Sequence, residues 1–259
     1  MKKSTISILP MLLLCIITYP SFAANLANPA AQVGGARVSV GASYNLGGST
    51  ITNLEIPMMM NNIGVRVSYA PISYLNFGID FGTVQISVDR YPVGSGDTIP
   101  VFDGNFGWSG GGHLKLTTPF FFNHVALIGL ANGNFFRSQN DNKAYYGGAD
   151  IAGAAGVQVR IGKTCFISVG PHIYLIEGKN RDYEENTGKY GNINNLRGWI
   201  AFDYFPDLSA LYDKQQPYIS LEFTASPKIN SSSRVRVQEF SASVTVGTIT
   251  SRLYGIDKD

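Results

Sequence analysis

Residues 36–46 read Ala-Arg-Val-Ser-Val-Gly-Ala-Ser-Tyr-Asn-Leu and sort by parity. Val38, Val40, Ala42, Tyr44 and Leu46 fall on one side, and Arg37, Ser39, Gly41, Ser43 and Asn45 on the other. Only extended backbone sends successive side chains to opposite faces, so a period of two dictates a strand with one apolar and one polar face. The pattern returns about ten times along the chain. After residue 24 no stretch is apolar over the ~20 residues that a spanning helix needs. Strands can cross hydrocarbon only in a closed sheet, where every N–H and C=O is paired. Recurrent alternation at this length therefore predicts an all-β, antiparallel, up-and-down transmembrane barrel.

The phase is readable strand by strand. Ile63, Val65, Val67 and Tyr69 alternate with Asn62, Gly64, Arg66 and Ser68. Leu75, Phe77, Ile79 and Phe81 alternate with Asn76, Gly78, Asp80 and Gly82. Beyond Gly82 the apolar positions change parity to Val84, Ile86 and Val88, which predicts a β-bulge at the slip. Further strands are expected over 106–117, 124–136, 149–161, 164–176, 196–204 and 219–225, with a last one from near Arg234 to at least Val246. Ten strands result, with eight or twelve as alternatives. Long connections at 47–61, 90–104, 137–146, 178–194 and 227–233 alternate with turns near 71, 120, 162 and 210, the end-to-end asymmetry of outer-membrane barrels. Aromatic residues gather at strand ends: Tyr69, Tyr74, Phe120 to Phe122, Phe135, Phe136, Tyr145, Tyr146, Tyr204, Phe205 and Tyr218. They are read as two interfacial girdles.

Lys2 and Lys3 precede an apolar run over 6–18, and Ser21 and Ala23 supply small residues beyond it. This is the pattern of a secretory signal peptide, with cleavage expected after Ala23 or Ala24 and a single domain over 25–259. Lipidation at Cys15 is the rival reading, although Leu14 is large where that signal wants a small residue. Once Cys15 is removed, Cys165 is the only thiol, so no intrachain disulfide and no cysteine metal cluster is expected. Two of the 20 basic residues leave with the signal, so 18 face 18 acidic ones. That balance argues against nucleic acid as the main partner. Charged residues are 15% of the chain, against roughly 25% in soluble domains, a deficit that fits a surface lying largely in lipid.

The signal, the alternating strands and the loop asymmetry resemble the small outer-membrane β-barrel proteins of Gram-negative bacteria, the class that includes the outer-membrane protein A type barrel. The resemblance is architectural and spans nearly the whole exported chain. It implies outer-membrane lipid as surroundings and the barrel assembly machinery as a partner during biogenesis. The terminal strand signal of such proteins is degenerate here. Thr245 and Gly247 fit its first half, but Thr250 and Arg252 stand where aromatic residues belong.

Chemistry is sparse. His113, His124 and His172 are the only histidines, and none begins an H-E-x-x-H metal spacing. No G-x-S-x-G nucleophile elbow occurs. The His-any-Ser arrangement of outer-membrane lipid A deacylases is absent, because Lys115, Ala126 and Tyr174 follow two places after the histidines. No cofactor is implied. Gly110 to Gly112 and the glycines between Gly148 and Gly156 read as small residues that let side chains pass inside a narrow barrel.

The informative constellation is the polar face: Arg37, Arg66, Asp80, His113, Lys115, Asp150, Arg160, Asp203 and Glu222 each lie opposite an apolar row. In a barrel they point into the lumen, where charges must pair or hold water. A plugged or narrow lumen is expected. The leading reading is a non-enzymatic outer-membrane barrel with a structural, adhesive or narrow-pore, porin-like role. A soluble periplasmic or secreted barrel binding a small apolar ligand is the second, because alternation alone does not say which face is inside. The third is a barrel enzyme, which needs His113 or His172 beside a serine or aspartate in space.

Overall fold

The computed structural model describes residues 35–51, 56–88, 91–92, 98–99, 101–182, 187–192, 195–206, 215–226 and 239–250. The signal segment, part of the 90–104 connection, most of the 206–216 connection, residues 227–238 and residues 251–259 lie outside them. Ten long strands form one sheet: β1 (Arg37–Ile51), β2 (Ile56–Ile72), β3 (Leu75–Val88), β4 (Asn105–Thr117), β5 (Val125–Gln139), β6 (Tyr145–Ile161), β7 (Cys165–Arg181), β8 (Leu196–Tyr204), β9 (Gln215–Ala225) and β10 (Phe240–Thr250). Each pairs antiparallel with its sequence neighbour. β1 closes the circle on β10, from Ser39 opposite Ile249 to Gly47 opposite Ser241. Closure removes the edges that an open sheet would expose.

Face polarity separates the readings that alternation left open. Phe81, Phe135, Ile151 and Val169 point outward at 59%, 64%, 59% and 52% exposure, while Arg66, His172, Asp203 and Glu222 are buried inside. A soluble ligand-binding barrel has the reverse arrangement, and an apolar belt of this extent has to meet lipid.

The expected bulge after Gly82 is absent. β3 runs without interruption against both neighbours, with Gly82 opposite Gly64 and Ser109, Thr83 opposite Ile63 and Trp108, and Val84 opposite Asn62 and Gly107. Parity is kept and the chemistry of the two faces is exchanged. Outward residues change from Phe77, Ile79 and Phe81 to Thr83, Gln85 and Ser87; inward residues change from Asn76, Gly78 and Asp80 to Val84, Ile86 and Val88. β7 repeats the exchange. Ile173 and Leu175 give way outside to Glu177 and Lys179, and Ser168 and His172 give way inside to Tyr174 and Ile176.

The physical reason is the change of solvent at the membrane surface. β2, β6 and β7 are 17 residues long, whereas ~9–11 residues cross the hydrocarbon. The surplus on the loop side stands in water, so it turns polar outside and builds an apolar core inside, as any soluble sheet does. Register shifts occur elsewhere, between Tyr69 and Ile72 and between Asn105 and Trp108.

The girdles need a matching correction. Tyr74 and Tyr204 are exposed at the turn-side rim and Phe135 at the loop-side rim, joined there by Tyr44 and Trp108. Phe136, Tyr146 and Tyr218 instead face inward and are buried. Tyr146 packs with Phe102 and Tyr190 in the loop-side core, with ring centroids 4.6 and 5.4 Å away.

Candidate functional site: the lumen

Three layers of side chains succeed one another along the barrel. At the turn end, Phe120, Phe166, Phe205 and Tyr218 form a chain of rings with centroids 6.0, 5.7 and 6.1 Å apart. It runs from the β4–β5 connection past β7 to β9, and so bridges the mouth. At the loop end lies the apolar core, with Val84, Ile86, Phe102, Phe136, Ile176 and Trp199 among its members. Between them sits a polar layer.

The polar layer is ordered by register. Arg66, Asp80, Gly111, Asn134 and Asp150 lie side by side on β2 to β6. Arg66 Nε donates to Asp80 Oδ1 at 2.5 Å and its Nη2 to Oδ2 at 3.1 Å. This fork-to-fork geometry is the strong form of the pair. Asn134 Nδ2 donates to Asp150 Oδ1 at 2.9 Å. A Cβ on Gly111 would lie 2.3 Å from Asn134 Oδ1, so only glycine leaves that amide its place.

The next row reads Ser68, Gly78 and His113 on β2 to β4. His113 leans across Gly78, where a Cβ would come within 2.8 Å of its Cε1. Its Nε2 thereby lies 2.8 Å from Ser68 Oγ and its Nδ1 2.9 Å from Asp80 Oδ2.

Serine, imidazole and carboxylate thus stand in the order of a hydrolytic triad. The setting differs. Ser68 is buried and does not line the neighbouring cavity, and the carboxylate is shared with the Arg66 guanidinium. In this position the three groups satisfy one another's hydrogen bonds within the polar layer.

Other members cross the lumen. Lys115 is buried on the inner face of β4. Trp199 Nε1 donates to Glu222 Oε1 at 2.8 Å. Arg197 reaches from β8 to Ser49 Oγ on β1 at 2.8 Å, lies 4.7 Å from the Tyr174 ring centroid, and has Glu239 Oε2 3.8 Å away. Arg37 and Arg160 are not brought into this layer. Both stand half-buried at the turn end, where Arg160 Nε donates to Gly162 O at 3.0 Å. His172 is buried opposite Arg197, and His124 is exposed at a turn.

Sequence reasoning passed over Ser68, Arg197 and Glu239. Arg197 carried a usable signal, since it shares the parity of Asp203 in the same strand. Glu239, just before β10, carried the same signal, since it shares the parity of the inward Ser241, Ser243 and Thr245. Its Oε1 accepts from the Thr50 backbone N–H at 3.0 Å, and burial holds its pKa above the usual carboxylate value despite that bond and Arg197.

One cavity of about 30 Å³ lies in the polar layer, lined by Asn45, Asn62, Arg66, Asp80, Asn132 and Asp150 among others. A water needs ~10–15 Å³, so the space suits about two waters and no larger solute. Among the described residues no cluster of His, Cys, Asp or Glu is arranged to hold a metal.

No family model matches this chain, and no curated protein does. Among solved structures it is similar to the translocator domain of autotransporter NalP from Neisseria meningitidis, at 12% identity and a TM-score of 0.47 over 84% of this chain and 88% of that one. It is also similar to an outer membrane channel from Pseudomonas putida F1, at 10% identity and a TM-score of 0.43 over 88% and 99% of the two chains. The Pseudomonas putida toluene transporter TodX gives 10% identity and a TM-score of 0.31 over 90% and 95%. These neighbours are outer-membrane β-barrels, and the likeness is one of architecture.

Proposed function

We propose that this chain is a non-enzymatic outer-membrane barrel with a closed lumen. It serves as a structural or adhesive element that holds a rigid β-tier and its loops above the membrane. The observation that carries this reading is the succession of aromatic rings, the Arg66–Asp80–His113 layer and an apolar core along the axis, with a cavity in the polar layer that suits about two waters. A lumen so occupied favours the structural or adhesive role over the narrow pore. Export uses the segment ending at Ala23 or Ala24, outer-membrane lipid surrounds the apolar belt, and the barrel assembly machinery inserts the chain.

Planar-bilayer recording tests the closure. The purified protein, first shown to migrate differently with and without boiling, is expected to give no discrete conductance steps. Steady steps would overturn the closed lumen and return the pore. A serine-reactive phosphonate is expected to leave Ser68 unlabelled, and labelling abolished by Ser68→Ala would restore the enzyme reading.

A further inference from the structure

The exchange of face polarity fixes where the barrel leaves the hydrocarbon, and one hydrogen-bonded row just beyond that level is unusually basic. Thr83, Trp108, Arg137, Gly147, Lys179 and Lys189 follow one another in register across β3 to β7 and the short strand Thr187–Gly191 that extends the sheet past β7. Paired residues share a face, and this face is the outer one, because the inward neighbours Phe136, Ser138, Tyr146 and Tyr190 are buried. Arg137, Lys179 and Lys189 are all exposed. Gly147 stands between the first two without a side chain. Trp108, 57% exposed, stands beside Arg137 in the row, at the level where its amphipathic ring is favoured.

Arg137 is held in place by Tyr145, whose ring centroid lies 4.3 Å from the guanidinium carbon. The half-buried Arg181 lies one pair further from the membrane, opposite Tyr145 and Thr187. Glu177, one pair nearer the membrane, is the exposed acid on the same face of β7. Directly beneath are the apolar residues of the lipid belt: Phe135, Ile151, Leu175 and Ile173, all exposed. A cationic shelf above an apolar wall matches an amphiphile with a negatively charged headgroup and acyl chains. The spread of three cations over four adjacent strands, some 15 Å at ~4.8 Å per strand, suits more than one phosphate.

We propose that the Arg137–Lys179–Lys189 row binds the phosphate groups of an outer-leaflet lipid whose acyl chains lie on Phe135, Ile151 and Leu175. This rests on the membrane reading of the barrel and assigns it a specific lipid contact. Charge-assisted contacts from three cations near a lipid headgroup are worth roughly fivefold in affinity each, or about 100-fold together.

The test places the full exported chain in phosphatidylcholine nanodiscs and measures energy transfer from Trp108 to a fluorescent-acyl, bisphosphorylated diglucosamine lipid. The wild type is expected to retain that lipid and to lose it in high salt. Arg137→Gln/Lys179→Gln/Lys189→Gln is expected to bind about 100-fold more weakly. The dephosphorylated lipid is expected to bind both forms alike. Equal retention by wild type and variant, or no dependence on the phosphates, overturns the proposal. Displacement of the lipid by millimolar inorganic phosphate also overturns it, because the row is then a free-anion site. The heat-dependent mobility shift reports the membrane reading separately. Its loss in both proteins refutes that reading and this inference together, while its presence with unselective binding refutes this inference alone.

Discussion

Removing Asp80 tests whether the polar layer is built on charge pairing. Arg66 is 1% exposed and is gripped through two nitrogens by one carboxylate, at 2.5 and 3.1 Å. Breaking a buried ion pair on one side costs ~3–5 kcal/mol, most of it the burial of the abandoned charge. Here the cavity beside Arg66 admits about two waters, which lowers the expected cost of Asp80→Ala to ~2–4 kcal/mol. Arg66→Ala should cost less, since His113 still faces Asp80. Replacing the pair by apolar side chains of similar volume, Arg66→Met/Asp80→Leu, leaves no stranded charge. That double variant should fall within ~1 kcal/mol of wild type, and with Arg66→Met and Asp80→Leu as its single variants the coupling should be ~2 kcal/mol or more. The assay is equilibrium urea unfolding in phosphatidylcholine vesicles, followed by the fluorescence of Trp108 and Trp199. A loss below ~0.5 kcal/mol in Asp80→Ala, or a double variant whose loss equals the sum of the singles, would refute the reasoning.

The exchange of faces on β3 predicts opposite fates for two isoleucines of one strand. Ile86→Ala, in the loop-side core at 0% exposure, should cost ~2–4 kcal/mol, while Ile79→Ala on the lipid face should stay below ~1 kcal/mol, both read by the same unfolding assay. At the β4–β5 turn Phe122 and Asn123 have φ of 51° and 62°, and Phe122 is 94% exposed. Phe122→Asn relieves a left-handed phenylalanine at no loss of packing and should raise stability by ~1 kcal/mol in that assay. Glu239 has a raised pKa because of burial, so it binds its proton more tightly folded than unfolded, where the value is about 4.3. Its contribution is complete below that value and is lost as pH rises through the raised one. Glu239→Gln should therefore flatten the fall of unfolding free energy with pH above ~4.3, and an unchanged slope would remove Glu239 from the network.

Closure and strand number were legible because each strand reports its two faces through parity alone. Arg66, His113, Lys115, Asp150, Asp203 and Glu222 are buried and Asp80 is half-buried. The loop-side tier was misread for a physical reason. A strand that passes from lipid to water exchanges the polarity of its faces without changing register, and in one dimension that looks the same as an inserted residue. Val84, Ile86 and Val88 therefore suggested a bulge, and the inward Phe136 and Tyr146 suggested a girdle. Which inward groups meet was not legible, because Ser68, His113 and Asp80 come together only through the stagger of three strands and the missing side chain of Gly78. The basic row was hidden similarly: Arg137 is far from Lys179 and Lys189 in sequence and joins their row only through register, across Gly147.

The location of the membrane boundary on β3 is open to a direct measurement. Single cysteines at positions 77, 79, 81, 83, 85 and 87, in a Cys165→Ser background, carry nitroxide labels in a bilayer. Collision with oxygen, which concentrates in lipid, is then compared with collision with a water-soluble nickel chelate. Labels at 77, 79 and 81 should favour oxygen, labels at 85 and 87 should favour nickel, and the crossover should fall at 83. Uniform access to nickel along the whole strand would contradict a barrel that crosses a membrane here, and uniform access to oxygen would contradict the water-exposed tier above it.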